Sequence, residues 1–247
     1  MRDTYLISLA GVELCLVSRF PQNKRFFEPF LLSASASSNL EELAVGPYEE
    51  KLSAQSFGMS TLVPANEMKL LLTLASDYLL SYDRLLFHSV AFLWQGWAWL
   101  IAAPSGVGKT TQYHNLKSLY GDEVTVISGD NPVLEKRSDG SFWAYPSPWN
   151  GKEEEGSKLS APLGGIVLLE QAGFNRIERL TPENAVVPIF NQFNTFAKTE
   201  DVVHRLFSFE RNLISTVPVW KLQNVGDLAS SELLLSALTN HQKGENS

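Results

Sequence analysis

The sequence predicts an α/β fold, with a small, mainly β amino-terminal subdomain over residues 1–83 ahead of a larger unit over residues 84–247. Three observations lead there. Residues 1–63 are short apolar runs broken by turn signals, with little helical periodicity. Around Trp97–Tyr120 an apolar strand, a glycine-rich turn and a helical pattern follow one another directly. A further strand, Val124–Ile127, ends just before Asp130, the position where ligand chemistry gathers in open α/β sheets.

Composition narrows the class. At 247 residues the chain is long enough to bury a substantial core, and 44% apolar with 19% charged residues is the balance of an ordinary globule. The formal charge of −7, with no run of Lys or Arg longer than two, argues against a nonspecific grip on nucleic acid. Cys15 is the single cysteine, so no intrachain disulfide is available and nothing points to an oxidising compartment. Tyr5–Leu9 and Val12–Val17 are apolar enough to suggest a signal peptide. Glu13 interrupts them, Arg2 is the whole basic region, and Ala10-Gly11 fits a hairpin turn better. No stretch approaches the roughly 18 apolar residues of a membrane span. The expectation is a cytoplasmic protein with no membrane or nucleic-acid partner.

The elements follow in order. Ser33–Ser38 reads as a surface loop, and Gly46-Pro47 and Gly58 as further breaks. A helix is expected over about 66–80, where Met68, Leu71, Leu72, Ala75 and Leu79 share a face and Asn66 is the candidate cap. Leu85–Trp94 and Trp97–Ala102 are strands joined at Gln95-Gly96. After the glycine-rich turn come a helix from Lys109 to Tyr120 and the strand Val124–Ile127. Strands Pro132–Lys136 and Phe142–Tyr145 then flank the Asp139-Gly140 turn. Residues 146–163, rich in proline, glycine and glutamate, read as a mobile loop, and Gly165–Leu169 as a buried strand. Thr181-Pro182-Glu183 starts a helix, and the remainder is mostly helical apart from a strand at Val217–Leu222.

Ala103-Pro-Ser-Gly-Val-Gly-Lys109-Thr110 fits the Walker A pattern, with Ala103 in place of the first glycine. The chemistry requires these residue types. Gly106 and Gly108 permit backbone angles that turn successive N–H groups toward phosphate oxygens. The following helix offers its positive end, Lys109 its charge, and Thr110 a hydroxyl for magnesium. Ser105, Gly106, Val107, Gly108, Lys109, Thr110 and Thr111 are therefore the candidate nucleotide contacts. Guanine-reading, transporter-ATPase and motor-type elements are not found elsewhere in the chain.

His88 and Asp130 stand equally far from Lys109, 21 positions before and after it. At a strand end, Asp130 can bind magnesium or accept a proton from an incoming hydroxyl; Gly129-Asp130-Asn131-Pro132 also makes a good turn. His88, inside an apolar run, reads on its own as a core histidine. His114, His204 and His241 are assigned to structure or surface. Lys152 lies just past Gly151. It is either a cation that closes over the phosphates or an exposed loop lysine beside Glu153–Glu155, and Trp149 either meets a substrate or packs the loop down.

Phe87-His88-Ser89, Gly96, Ala103–Thr110 and Gly129-Asp130-Asn131 together resemble the catalytic domain of the HPr kinase/phosphorylase family, over about residues 84–240 and most closely over 87–136. That family modifies a serine of the histidine-containing phosphocarrier protein and shares its fold with the nucleotide-binding part of phosphoenolpyruvate carboxykinase. The resemblance implies a phosphoenolpyruvate carboxykinase-like P-loop kinase domain using ATP and Mg2+. Asp130 would be the base that takes the serine proton and a magnesium ligand with Thr110, and His88 would position phosphates or tune the base. Two departures matter: the second acid of the family's pair is Asn131, and the segment associated with the reverse reaction has no counterpart, so phosphorylase activity is not expected. The chain is also similar to compact relatives encoded beside ribosomal-peptide gene clusters, which act on a serine of a precursor peptide; Tyr145–Lys152 and Pro162–Gln171 add to that likeness. The expected activity is phosphorylation of a serine on a peptide or small protein. The alternatives are a small-molecule hydroxyl as acceptor, or a nucleotide-dependent switch with slow turnover. The oligomeric state is left open, a homo-oligomer being compatible.

Overall fold

The computed structural model describes residues 2–32, 40–57, 62–151 and 156–245. Strands β1 (Asp3–Leu9) and β2 (Val12–Ser18) form the expected hairpin, turned by Ala10 and Gly11 at φ 47° and 79°. β3 (Glu42–Ala44) lies parallel to β2 and completes a three-stranded sheet. Three helices accompany it: α1 (Lys24–Phe27), α2 (Pro47–Phe57) and α3 (Pro64–Leu79). This part is more helical than the sequence predicts. Pro47, read as a break, is the first residue of α2, where a missing N–H costs nothing. Asn66 is not a cap, because α3 starts two residues earlier at Pro64, with Val63 before it. The expected loop at Ser33–Ser38 and the break at Gly58 lie outside the described residues.

α3 buries Met68, Leu71, Leu72, Ala75 and Leu79 against the inward residues of the hairpin, among them Ile7, Leu9, Leu14 and Leu16. Buried Glu67 is satisfied there, accepting from the Arg19 N–H (2.9 Å), Asn23 Nδ2 (3.0 Å) and the Ser18 hydroxyl. Leu86, Val133 and Trp149 belong to the same apolar cluster, so packing runs on past the expected boundary at residue 83.

The second part contains β4 (Arg84–Leu86), β5 (Ser89–Trp94), β6 (Trp97–Ala102), β7 (Thr125–Ser128), β8 (Val133–Lys136), β9 (Phe142–Tyr145), β10 (Ala161–Gln171), β11 (Arg176–Arg179) and β12 (Val219–Asn224). Its helices are α4 (Lys109–Tyr120), α5 (Pro182–Phe190), α6 (Glu200–Thr216) and α7 (Leu228–Glu245). β6, β10 and β12 are parallel, with β10 between the other two; β5 and β7 extend the sheet antiparallel beyond β6, and β4, β8 and β9 join it through the start of β10. The alternation of β6 shows how the layers are built. Ala98, Leu100 and Ala102 pack toward Leu206, Phe209 and Leu213 of α6, while Trp99 and Ile101 pack toward Tyr113, Leu116, Leu234 and Leu238 of α4 and α7. The sheet is thus covered on both faces. None of the helices among the described residues is long and apolar enough to cross a membrane.

Two expectations change here. The run Leu85–Trp94 is two strands, because Phe87 and His88 leave the ladder and donate their N–H groups to Pro132 O (3.0 Å) and Gln192 O (2.8 Å). The expected mobile loop 146–163 is tied down over much of its length. Ser147 and Trp149 are buried, Trp149 Nε1 donates to Met68 O (2.8 Å), and Ala161 and Pro162 already belong to β10.

The register of β10 shifts at Gly164-Gly165, where Trp99 and Trp220 pack against its backbone with ring centroids 5.9 Å apart. A Cβ on Gly165 would fall 2.4 Å from the Trp220 ring, 2.9 Å from Trp99 and 3.1 Å from the Pro218 carbonyl. Gly165→Ala is expected to destabilise the protein by about 1–3 kcal/mol, the cost of overpacking a tight core. A urea denaturation midpoint equal to that of the natural protein would contradict this packing.

Candidate phosphate-binding site

The site gathers at the ends of β5, β6 and β7. Gly106 and Gly108 take φ values of 83° and 116°, in the region that favours glycine. A Cβ on either would meet nothing within 4 Å, so backbone conformation, not crowding, is what calls for glycine at both positions. Val107 N donates back to Pro104 O (3.3 Å), closing the turn, and α4 begins immediately at Lys109. The buried face of α4 is fixed by polar contacts. Gln112 donates to Asn224 Oδ1 (3.1 Å) and Ser230 Oγ (2.6 Å) and accepts from Ser231 Oγ (2.6 Å), locking the helix to β12 and α7. Gln171, at the end of β10, donates to the Val107 carbonyl (3.4 Å).

Lys109 Nζ donates to Ala103 O (2.9 Å) and to His88 Nε2 (3.0 Å). An ammonium has no acceptor, so His88 must accept at Nε2 and carry its proton on Nδ1. Burial, then the neighbouring charges of Lys109 and Lys69, push the His88 imidazole down to about 4, and it is neutral at physiological pH. Burial also lowers Lys109 below the usual lysine range, against the pull of Asp130.

Asp130 follows β7. Its Oδ1 accepts the Asn131 N–H (3.1 Å) and lies 3.7 Å from His88 Nε2, beyond hydrogen-bonding reach. Burial pushes this carboxyl up to about 6, although Lys109 and the Asn131 N–H pull the other way. Behind it, Ser128 Oγ donates to the Asp130 carbonyl (2.5 Å) and sits 3.0 Å from Asn150 Oδ1. Gly151, at φ 77°, lets the backbone approach so closely that a Cβ there would lie 3.2 Å from Asp130 Cβ.

Asn131 has φ 47°, in the left-handed region that asparagine tolerates. Its Oδ1 accepts from Asn194 Nδ2 (2.9 Å), and its carbonyl accepts from Ser147 Oγ (2.6 Å). The amide is a buried fastener between strand end, loop and the segment after α5.

His88, Lys109 and Asp130 are therefore brought together, and Ser105 lines the same cavity as His88 and Asp130. Thr110 and Thr111 lie in the first turn of α4, half-buried and exposed respectively. Lys152 lies outside the described residues. Among the described residues no cluster of three or more His, Cys, Asp or Glu could hold a metal by itself. A Thr110 hydroxyl and one carboxylate suit magnesium, which keeps most of its ligands as water and phosphate oxygens.

A cavity of about 700 Å³ opens between this cluster and α3, lined among others by Met68, Lys69, Ser105, Asp130 and Gly151. Lys69, Ser128, Asn150 and Asn194 are site neighbours that sequence reasoning missed. Lys69 carries no local signal, being an exposed lysine on a helix whose opposite face is core.

No protein-family model matches the sequence, and no curated protein matches it. Among solved structures the chain is similar to the Hpr(Ser) kinase/phosphatase from Coxiella burnetii. The identity is 10%, the overlap covers 65% of this chain and 98% of that one, and the TM-score is 0.35. A likeness that loose carries no argument about activity.

The electrostatics of the cluster yield a direct expectation. In an NMR titration the His88 ring should protonate near pH 4, and Lys109→Ala should move that midpoint upward, because a neighbouring positive charge is removed. A His88 midpoint at the ordinary 6.5 in the natural protein would contradict the geometry.

Proposed function

We propose that the chain is an ATP- and magnesium-dependent kinase that phosphorylates a serine hydroxyl on a peptide or small protein. The observation that carries the reading is Asp130: a carboxyl raised to about 6, beside the lysine of a phosphate loop, at the wall of a cavity large enough for an acceptor. A base with that value is ionised at neutral pH yet close to the pH at which it must work. Holding it there has a cost. Its folded value lies above the unfolded 3.8, so ionisation between about pH 4 and 6 removes stability as pH rises, as expected of a group kept for chemistry.

The loop N–H groups and Lys109 would take the terminal phosphates of ATP, with the α4 N-terminus adding its dipole. His88, neutral and accepting from Lys109, would hold the ammonium in place without adding a competing charge. Thr110, and Asp130 directly or through water, would hold magnesium, which neutralises charge on the transferring group. An acceptor hydroxyl reaching Asp130 through the cavity would attack the terminal phosphorus. Its proton would pass to the Asp130 carboxylate as the bond to the ADP oxygen breaks. Asn131 offers no second carboxylate, and its amide is already engaged by Asn194, so the forward reaction is favoured over attack by inorganic phosphate on a phosphoserine.

The test is transfer of labelled phosphate from ATP to serine-containing peptides. Asp130→Asn should lower transfer by roughly 100-fold or more, the scale of a lost general base, with nucleotide affinity kept within a modest factor. If magnesium meets Asp130 only through water, kcat/KM of the natural protein should rise with pH through about 6, as the Asp130 carboxyl loses its proton; direct ligation would move that rise to lower pH. Tight nucleotide binding with no acceptor labelled would favour a switch, and labelling of small hydroxyl compounds alone would favour a small-molecule kinase. Rescue of the variant by added magnesium would leave Asp130 chiefly a metal ligand and not the base, and near-natural turnover would remove it from the site.

A further inference from the structure

A second cavity, of about 600 Å³, lies beside the first. The two share Arg25, Phe26, Pro148 and Asn150 as common walls. The first cavity reaches Asp130, and the second, on the other side of Phe26, reaches Leu31 and Leu32, next to the β1–β2 turn, and Lys158 on the facing loop. Their walls come from both parts of the chain: the hairpin, α1 and α3 on one side, the segments around Pro146–Asn150 and Gly156–Ser160 on the other.

We propose that these two cavities form one channel that receives the acceptor as an extended, acidic peptide segment, with its serine delivered to Asp130. This rests on the kinase reading above and names the kind of acceptor. Shape favours an extended occupant, since a compact hydroxyl compound needs only the first cavity and leaves the second without purpose. Charge sets its sign. Acids outnumber bases 27 to 20 in the sequence, yet the described residues lining the two cavities include the cations Arg25, Lys69 and Lys158 and a single acid, Asp130 itself. Arg25 stands 4.6 Å over the ring of Phe26 at the junction, so a cation and an aromatic surface are presented together where the cavities meet. Lys69 projects from α3 close enough to the reacting groups for its charge to act on both His88 and Asp130. Met68, Trp149 and Phe26 give the channel an apolar strip against which side chains flanking the serine would pack.

The test needs neither nucleotide nor phosphate transfer. Two fluorescein-labelled octapeptides, each with one central serine, are compared by anisotropy at low salt, one with Glu and Asp at the flanking positions and one with Lys. The acidic peptide should bind at least tenfold more tightly, and Arg25→Glu with Lys158→Glu should abolish that preference. Lys69→Gln, on the exposed side of α3, should weaken the acidic peptide several-fold and serves as a second variant should the double change impair folding. Equal binding of the two peptides, or a preference for acid unchanged in the variants that fold, would overturn the channel. The two proposals fail separately. Acidic-peptide binding without phosphate transfer leaves the channel standing and removes the kinase, whereas transfer to free serine or neutral peptides without charge preference removes the channel and leaves the kinase.

Discussion

The ammonium of Lys109, held between the Ala103 carbonyl and His88 Nε2, is the contact around which the rest of the site is arranged. A half-buried cation requires acceptors in fixed places, and each acceptor makes its own demand. His88 can accept only while neutral, which burial and the surrounding cations ensure. The charge of Lys109 in turn offsets part of the cost of an ionised Asp130. Burial outweighs that help, and the Asp130 carboxyl stands at about 6, above the usual carboxylate range.

Much of the architecture serves that cluster. His88 reaches Lys109 because the chain leaves the ladder between β4 and β5, its N–H taken up by Gln192. Lys109 is aimed by α4, and α4 is fixed from behind by the buried Gln112 contacts to Asn224, Ser230 and Ser231. Asp130 is backed by Ser128 and crowded by Gly151, while Asn131 and Trp149 fasten the neighbouring loop to the segment after α5 and to α3. The amino-terminal sheet takes part as well, since α3 supplies one wall of the cavity that Asp130 faces.

What could be read in the sequence was local. The β1–β2 turn, the phosphate loop, the start of α5 at Thr181-Pro182 and the strand before Asp130 each follow from residues adjacent in the chain, and each lies where periodicity and turn chemistry place it. α2 was not legible, because its apolar residues do not form a clear stripe and Gly46-Pro47 looked like a stop. Local pattern alone starts β10 late, at Gly165, because Pro162 and Gly164-Gly165 mark a register shift and a tryptophan crossing; the Pro162–Gln171 strand implied by the resemblance lies within one residue of the observed one. Lys69 is invisible to a local reading for a related reason, and of the two roles open to Trp149 the structure shows the packing one. Their roles come from the packing of α3 across the loop at residues 146–151, a contact between segments far apart in sequence. Asn131 is the converse case: it was noticed as a missing acid, and its hydrogen bonds give it a positive task.

The central claim is that this loop and its lysine bind a nucleoside triphosphate. Titration calorimetry of Mg·ATP against the natural protein and against Lys109→Ala, with folding of both checked by circular dichroism, tests it most directly. Loss of the point charge on the terminal phosphates should weaken binding by at least about tenfold, corresponding to roughly 1.4 kcal/mol. Mg·ATP binding of equal strength to both folded proteins, or no binding to the natural protein, would contradict the account.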